Sequence, residues 1–352
     1  MISSVRIVGS GLIGTSIGLC LKSAGVAVEM VDTNADNANL AQDLVKSTQV
    51  TQPDLIIVAV PISANQDTVI KQLNANPNSI VCDLASVKSD LLLKVKELSD
   101  NPANFISMHP MSGREIGGAE NARADLFDGR AWIAVADDLS SDLAKDRGAE
   151  LVHICGSTIY WMSAIEHDQI VAKISHLPQI LSTLLAGQMV DTASESLNLS
   201  GQGLRDLTRL ASSDPKLWSQ ILYSNKKVVS PLLEQLIGEL QNLKTALAKG
   251  ESAIFEIMEK GVRGKARIPG KHGAKERDYS YLPIVIDDRP GELAKIFNEC
   301  SKISVNIEDL SIEHSPGQQT GLITLALSDS DCLKLSEHLE KVGFKVHPMK
   351  NR

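Results

Sequence analysis

Gly9, Gly11 and Gly14 stand in V-R-I-V-G-S-G-L-I-G-T-S at the spacing G-x-G-x-x-G, which lets backbone N–H groups hold a pyrophosphate. Val5, Ile7 and Val8 ahead of them form the short apolar run of a buried parallel strand. The first glycine permits the tight turn, the second lets backbone approach the phosphates, and the third lets the next helix pack on the strand. That helix starts with Leu12 and Ile13, and its N-terminus offers N–H groups and a positive dipole end to the anion. A second apolar run, VAVEMVD, ends in Asp32, about 20 residues on, where a carboxylate would hold the ribose 2′-hydroxyl of NAD and repel the extra phosphate of NADP. The competing role for Asp32 is a cap on the helix that follows it.

Further candidate site residues fall at the ends of other apolar runs: Val60 and Pro61 after DLIIVA, expected beside the cofactor, Ser86 after IVCDLA, and His109 in NFISMHP. Apolar runs alternate with helical or loop stretches over about the first 150 residues, the pattern of a doubly wound α/β domain, closing with AWIAVA and STIYWM. In such a sheet ligands bind beyond the carboxyl ends of the strands, so these positions converge on one crevice. The expected nucleotide-binding Rossmann domain spans residues 1–162.

Composition narrows the function class. The chain has 352 residues, 43% of them hydrophobic but only 3% aromatic, so its cores are aliphatic. A net charge of −8 argues against nucleic acid or an anionic membrane surface as partner. No apolar run approaches the ~20 residues of a membrane span, and Met1-Ile2 leads directly into a strand. The five cysteines, Cys20, Cys82, Cys155, Cys300 and Cys332, sit singly in apolar segments, as reduced core residues of a cytoplasmic protein, with no metal-ligand spacing.

From Ser163 the pattern turns helical, and residues 163–260 are expected to form an all-helical substrate and dimerisation domain. Ser163 and Glu166 make a capping box, followed by Ile170, Ile174, Leu177, Leu181, Leu184 and Leu185 at helical spacing. Pro178 must leave the Ile174 carbonyl without its usual partner. After GLRDLTRLA, Asp214-Pro215 starts a helix expected to run to about residue 260 with at most one break, at Ser230-Pro231. Residues 261–278 read as a basic, glycine-bearing linker, and residues 279–352 as strand, helix, two strands, helix and strand, the ferredoxin-like βαββαβ order.

Taken together, Asp83-Leu84-Ala85-Ser86-Val87-Lys88, His109-Pro110-Met111-Ser112-Gly113 with Glu115, Ser175-His176-Leu177-Pro178, Arg205-Asp206-Leu207-Thr208-Arg209, Asp214-Pro215 and Trp218 closely resemble the prephenate dehydrogenase family. The resemblance implies a hydride taken from the carbinol carbon of prephenate to NAD, with loss of CO₂ to give 4-hydroxyphenylpyruvate. It implies His109 as the base for the hydroxyl proton, suited by an ordinary imidazole pKa near ~6.5. It implies that Ser86 hydrogen-bonds both the substrate hydroxyl and His109, that Arg209 clamps a carboxylate with Asp206 aiming it, and that Glu115 and Asp168 form an ionic gate. His176 matches the first histidine of a Ser-His-Leu-Pro-His pattern, but Gln179 replaces the second, which leaves arogenate open as the substrate. A β-hydroxyacid-type dehydrogenase using Lys173, or a non-catalytic sensor, are the other function classes. The last segment resembles an ACT domain, with Asp288-Arg289-Pro290-Gly291-Glu292-Leu293 matching Asp-x-Pro-Gly-x-Leu; this implies tyrosine as an effector bound near Asp288, Arg289, Pro290, Gly291 and Asn306, in a homodimer.

Overall fold

The structure, a computed structural model, describes residues 1–113, 116–135, 139–268, 279–313 and 319–351. The chain packs as two compact units, Met1–Asn242 and Leu243–Arg352. The expected boundary at 162/163 therefore falls inside the first unit, and the second begins within a helix.

The first unit is built on alternating strands and helices: β1 (Ser4–Val8), α1 (Leu12–Ser23), β2 (Ala27–Val31), α2 (Ala35–Val45), β3 (Leu55–Val58), α3 (Ile62–Ala75), β4 (Ile80–Asp83), α4 (Ser89–Leu98), β5 (Phe105–Pro110), β6 (Ala131–Val135), α5 (Asp142–Ile154) and β7 (Thr158–Met162). The strands form one sheet in the order β2-β1-β3-β4-β5-β6-β7. Chain direction across the sheet switches between β1 and β3, where an open α/β sheet leaves its ligand crevice. All four residues of β3 are buried, with Leu55 and Ile57 in the core on one face and Ile56 and Val58 in the core on the other. Helices cover both faces, so the strand reads as a continuous apolar run.

The sheet is not wholly parallel. β5 and β6 pair antiparallel, His109 opposite Ile133, while the other neighbours pair parallel. Among the described residues between β5 and β6 there is only a 3₁₀ turn at Ala119–Asn121 and no crossover helix, in keeping with an antiparallel return. Ser86 follows β4, and His109 is the last residue but one of β5.

The helical region comprises α6 (Ala164–Val171), a π-helical turn (Ala172–His176), α7 (Leu177–Gly187), α8 (Ser194–Leu197), α9 (Gln202–Thr208), a 3₁₀ turn (Arg209–Ser212), α10 (Pro215–Ser224), α11 (Lys226–Lys249) and α12 (Glu251–Lys265). Ser163 caps α6 by accepting the Glu166 N–H at 3.2 Å. The widened turn lies just ahead of Pro178 and accommodates the carbonyl that the proline leaves unpaired. The helix after Asp214 breaks at Asn225 and at Gly250, whose φ is +118°, and not at Pro231, which lies inside α11 with its ring exposed. The continuous helical stretch Ala164–Gly187 has 24 residues, and an 18-residue window within it reaches a mean hydropathy of 1.2, enough to cross a membrane by length and composition alone. It nevertheless carries buried His167, Asp168, His176 and Gln179, which suits a helix of a folded domain.

In the second unit, β8 (Ser280–Asp287), α13 (Glu292–Lys302), β9 (Asp309–Glu313), β10 (Thr320–Leu327), α14 (Asp329–Lys341), β11 (Lys345–Val346) and β12 (Lys350–Asn351) follow in order. They form an antiparallel sheet ordered β11-β8-β10-β9, with β12 also on β8. Leu282, Ile284, Ile323 and Leu325 of the strands pack on Ile296, Leu335 and Leu339 of the two helices. The first residues of the expected linker are helical, since α12 runs to Lys265; residues 269–278 lie outside those described.

Candidate active site

The glycine turn is built for a close ligand. Gly9 has φ +109°, and a Cβ there would strike the Ala59 carbonyl after β3. A Cβ on Gly14 would strike the Gly9 carbonyl, so the start of α1 lies directly on the turn. Gly11 differs: a Cβ there would meet no protein atom within 4 Å. The open space beside its backbone suits a ligand that comes close to the chain, not packing within it. The first bond of α1 runs from the Thr15 N–H to the Gly11 carbonyl at 3.0 Å, so the N–H groups of Leu12, Ile13 and Gly14 face out of the helix end. Val60 and Pro61 follow β3 on the other side of the crevice, and Pro61 is the N-cap of α3.

Asp32 stands at the end of β2, half-buried. Its Oδ2 accepts the Ser10 N–H at 2.6 Å and its Oδ1 accepts the Asn34 N–H at 2.8 Å. Asn34, not Asp32, caps α2. The carboxylate thus ties the glycine turn to the end of β2, where a ribose would lie. These residues fit NAD.

Beyond β4 and β5, one hydrogen-bonded chain runs through the site. His109 Nδ1 lies 2.9 Å from His167 Nε2, and His167 Nδ1 lies 2.8 Å from Asp168 Oδ1. Asp168 is buried and also accepts the N–H groups of Lys88 and Ser89, each at 2.9 Å, capping α4 from a different helix. Burial pushes its carboxyl up, but the hydrogen bonds from His167, Ser89 and Lys88 outweigh this and hold it below the usual carboxylate range. Burial, with help from His167, Lys88 and His176, pushes the His109 imidazole well below its ordinary pKa, so the ring is neutral and able to accept a proton at neutral pH. Burial likewise lowers His167, with Asp168 acting against it.

Beneath the histidines lies a fully buried ion pair. Lys88 Nζ is 2.9 Å from Asp83 Oδ2 and donates to the Met108 carbonyl at 2.6 Å, one residue before His109. Asp83 also accepts from the Ala85 N–H and from the hydroxyl of Ser107. The pair joins the ends of β4 and β5 and thereby fixes where His109 emerges.

Two sequence expectations change. Ser86 follows β4 and is half-buried, but among the described residues no hydrogen bond links it to His109, whose Nδ1 is taken by His167. Asp168, expected in an ionic gate, is buried with its oxygens on two backbone N–H groups and an imidazole. Glu115, its expected counterpart, lies outside the described residues.

On the helical side, Asn225 Nδ2 donates to the Asp168 carbonyl at 2.9 Å and lies 3.2 Å from His176 Nδ1. His176 packs edge-on against Trp218, and burial pushes its pKa down to about 4. Gln179 is buried one turn further along; its Nε2 donates to the Leu210 carbonyl at 2.8 Å, and its Oε1 is buried without a partner. Arg209 is exposed at the end of α9, and Asp206 accepts from Gln202 Nε2 at 2.7 Å. In the second unit, Gly291 has φ +94° and caps α13 directly after Asp288-Arg289-Pro290. Asn306 is exposed in the loop before β9, not on the strand, with its amide on Glu308 at 2.9 Å.

Sequence reasoning missed His167, Asn225 and the role of the Asp83–Lys88 pair. A His-Asp dipeptide inside an apolar helix, and a lysine five residues after a strand-end aspartate, were the available signals.

Comparison with known proteins follows the same division. The family described as "Prephenate dehydrogenase, nucleotide-binding domain" matches residues 17–160, and "Prephenate dehydrogenase, dimerization domain" matches residues 163–260. Cyclohexadienyl dehydrogenase of Zymomonas mobilis is 31% identical over 261 residues, covering 69% of this chain and 88% of that protein. Prephenate dehydrogenase of Lactococcus lactis is 29% identical over 335 residues, covering 89% and 92%. Among solved structures, prephenate dehydrogenase from A. aeolicus in complex with hydroxyphenyl propionate and NAD+ shares the fold, with a TM-score of 0.68 at 23% identity over 75% of this chain and 96% of that one.

Proposed function

The chain belongs to the prephenate dehydrogenase family and is an NAD-dependent oxidoreductase, and we propose that it acts on prephenate with His109 as the base. The observation that carries this reading is a neutral imidazole at the carboxyl end of β5, with Nδ1 engaged by His167 and Nε2 without a hydrogen bond among the described residues. NAD+, when bound, supplies the hydride acceptor. His109 Nε2 takes the carbinol proton, so that the oxygen's electron pair can form the ketone as hydride leaves. The ring then loses CO₂ and becomes aromatic, a step needing little further help. Ser86, at the end of the neighbouring strand, orients the hydroxyl, and the Arg209 fork clamps a carboxylate. Mixing the protein with NAD+ and prephenate should produce NADH; no NADH formation would reject the reading.

A second substrate, arogenate, is favoured by one observation. The Leu210 carbonyl fixes the Gln179 amide nitrogen, which leaves Oε1 buried as an acceptor without a donor. An acceptor suits the ammonium of arogenate better than the keto group of prephenate. The ratio of kcat/KM for the two substrates decides between them, and Gln179→His should move it toward prephenate.

The second unit is proposed as an ACT domain that binds tyrosine. Its sheet order and the Gly291 turn opening the N-terminus of α13 support this, since that end offers N–H groups to a carboxylate. Tyrosine should inhibit the full chain and Asp288→Ala should relieve that inhibition; inhibition equal in both rejects the site. Exposed apolar side chains along the helices, such as Ile174, Leu184, Leu240 and Phe255, support a homodimer, testable by mass in solution. Five buried free thiols fit a cytoplasmic location.

A further inference from the structure

We propose that His167 and Asp168 are positioning residues that lock His109 in the single tautomer able to act as a base, with its proton on Nδ1 and its lone pair on Nε2. This rests on the assignment of His109 as the base.

The argument follows the donors and acceptors along the chain. An ionised carboxylate only accepts, and Asp168 is kept ionised by the N–H groups of Lys88 and Ser89. His167 Nδ1, 2.8 Å away, must therefore carry the hydrogen. A neutral His167 then presents a lone pair at Nε2. His109 Nδ1 faces that lone pair at 2.9 Å and must donate to it, because the opposite tautomer would set two lone pairs against each other. Only Nε2 of His109 remains to receive a proton. When it does so, the imidazolium that forms keeps its Nδ1–H on His167, with the Asp168 carboxylate behind.

The arrangement also has a failure mode. A proton on His167 Nε2 would point at the Nδ1–H of His109 and break the contact. The charges around the pair oppose that proton in part: Lys88 disfavours it on both rings and His176 on His109, whereas Asp168 and Asp83 favour it on His167. Burial outweighs the carboxylates and keeps His167 neutral.

Two substitutions separate this role from simple packing, measured on the full chain with NAD+ and prephenate. His167→Leu removes the acceptor and should lower kcat by about 10²–10⁴-fold, the scale of losing a tautomer-fixing partner, while NAD+ affinity stays unchanged. His167→Gln supplies an amide oxygen to the same N–H and should return kcat to within about tenfold of the wild type. It should also remove one ionisation from the acid limb of kcat/KM, since glutamine does not titrate. A His167→Leu enzyme within about threefold of wild-type kcat overturns the proposal, as does a His167→Gln enzyme no better than His167→Leu. Should His167→Leu not fold, the His167→Gln profile decides: one ionisation fewer supports the lock, and an unchanged limb overturns it. An active His109→Asn would instead defeat the base assignment, whereas an inactive His109→Asn beside an active His167→Leu defeats only the positioning role.

Discussion

Lys88→Met tests whether the site stands on its buried ion pair. The ammonium is 2.9 Å from Asp83 Oδ2 with both side chains at 0% exposure, and it also donates to the Met108 carbonyl at 2.6 Å. Methionine fills much of the lysine stem's volume but leaves Asp83 charged in the interior and the Met108 carbonyl without this donor. Breaking a buried pair by removing one partner costs about 3–5 kcal/mol. Asp83 keeps the Ala85 N–H and the Ser107 hydroxyl, which argues for the lower half of that range, and the stranded carbonyl adds about 1 kcal/mol. At roughly 2–4 °C per kcal/mol, the unfolding midpoint of the unit should fall by about 8–20 °C. Thermal unfolding at neutral pH reads this directly. Asp83→Asn combined with Lys88→Met removes the charge along with its partner and should recover much of the loss. A single variant destabilised by less than about 1 kcal/mol, or a double variant no better than the single, would refute the dependence of Asp83 on Lys88. The kinetic sign is fixed as well. Lys88 helps to hold the His109 pKa down, so its removal lets that pKa rise and moves the acid limb of kcat/KM to higher pH; a move to lower pH contradicts the account.

Three other outcomes follow from the geometry. Asp32→Ala should lower the preference for NAD over NADP, and an unchanged ratio of kcat/KM would reduce Asp32 to a tie between the glycine turn and β2. Arg209→Lys should raise KM more than it lowers kcat, because a point charge replaces a two-pronged donor; unaltered KM for both prephenate and arogenate removes the clamp. His109, His167 and His176 all have depressed pKa values in the fold, so their contribution to stability is complete above the ordinary imidazole pKa near ~6.5 and is lost as pH falls from there toward about 4. Unfolding midpoints that stay flat across that window would show that these rings can be protonated in the folded state without cost.

Patterns set by local chemistry were legible in the sequence. The glycine turn, the strand-end Asp32 and the Ser163 cap depend on neighbours within a few residues or on one strand–helix unit, and each recurs in the structure. The reversal of β6 was not legible, because a buried apolar run looks the same in either direction. Pro231 marked the wrong break. The carbonyl that a proline leaves unpaired there belongs to exposed Lys227 and can face water, whereas Asn225 ends its helix with a side chain that reaches Asp168 and His176. Asp168 was expected in an ionic gate with Glu115, whereas the backbone N–H groups it accepts lie 79 and 80 positions away in the chain. Such contacts leave no local trace.

The most direct measurement of the central claim compares wild type with His109→Asn, reading NADH formation from NAD+ and prephenate alongside the binding of NAD+ itself. Asparagine fills similar space and can still hydrogen-bond but cannot take the proton. The account predicts unchanged NAD+ binding and a kcat lowered by about 10²–10⁴-fold. A variant that keeps more than about half of the wild-type kcat would contradict it and remove His109 from the chemistry.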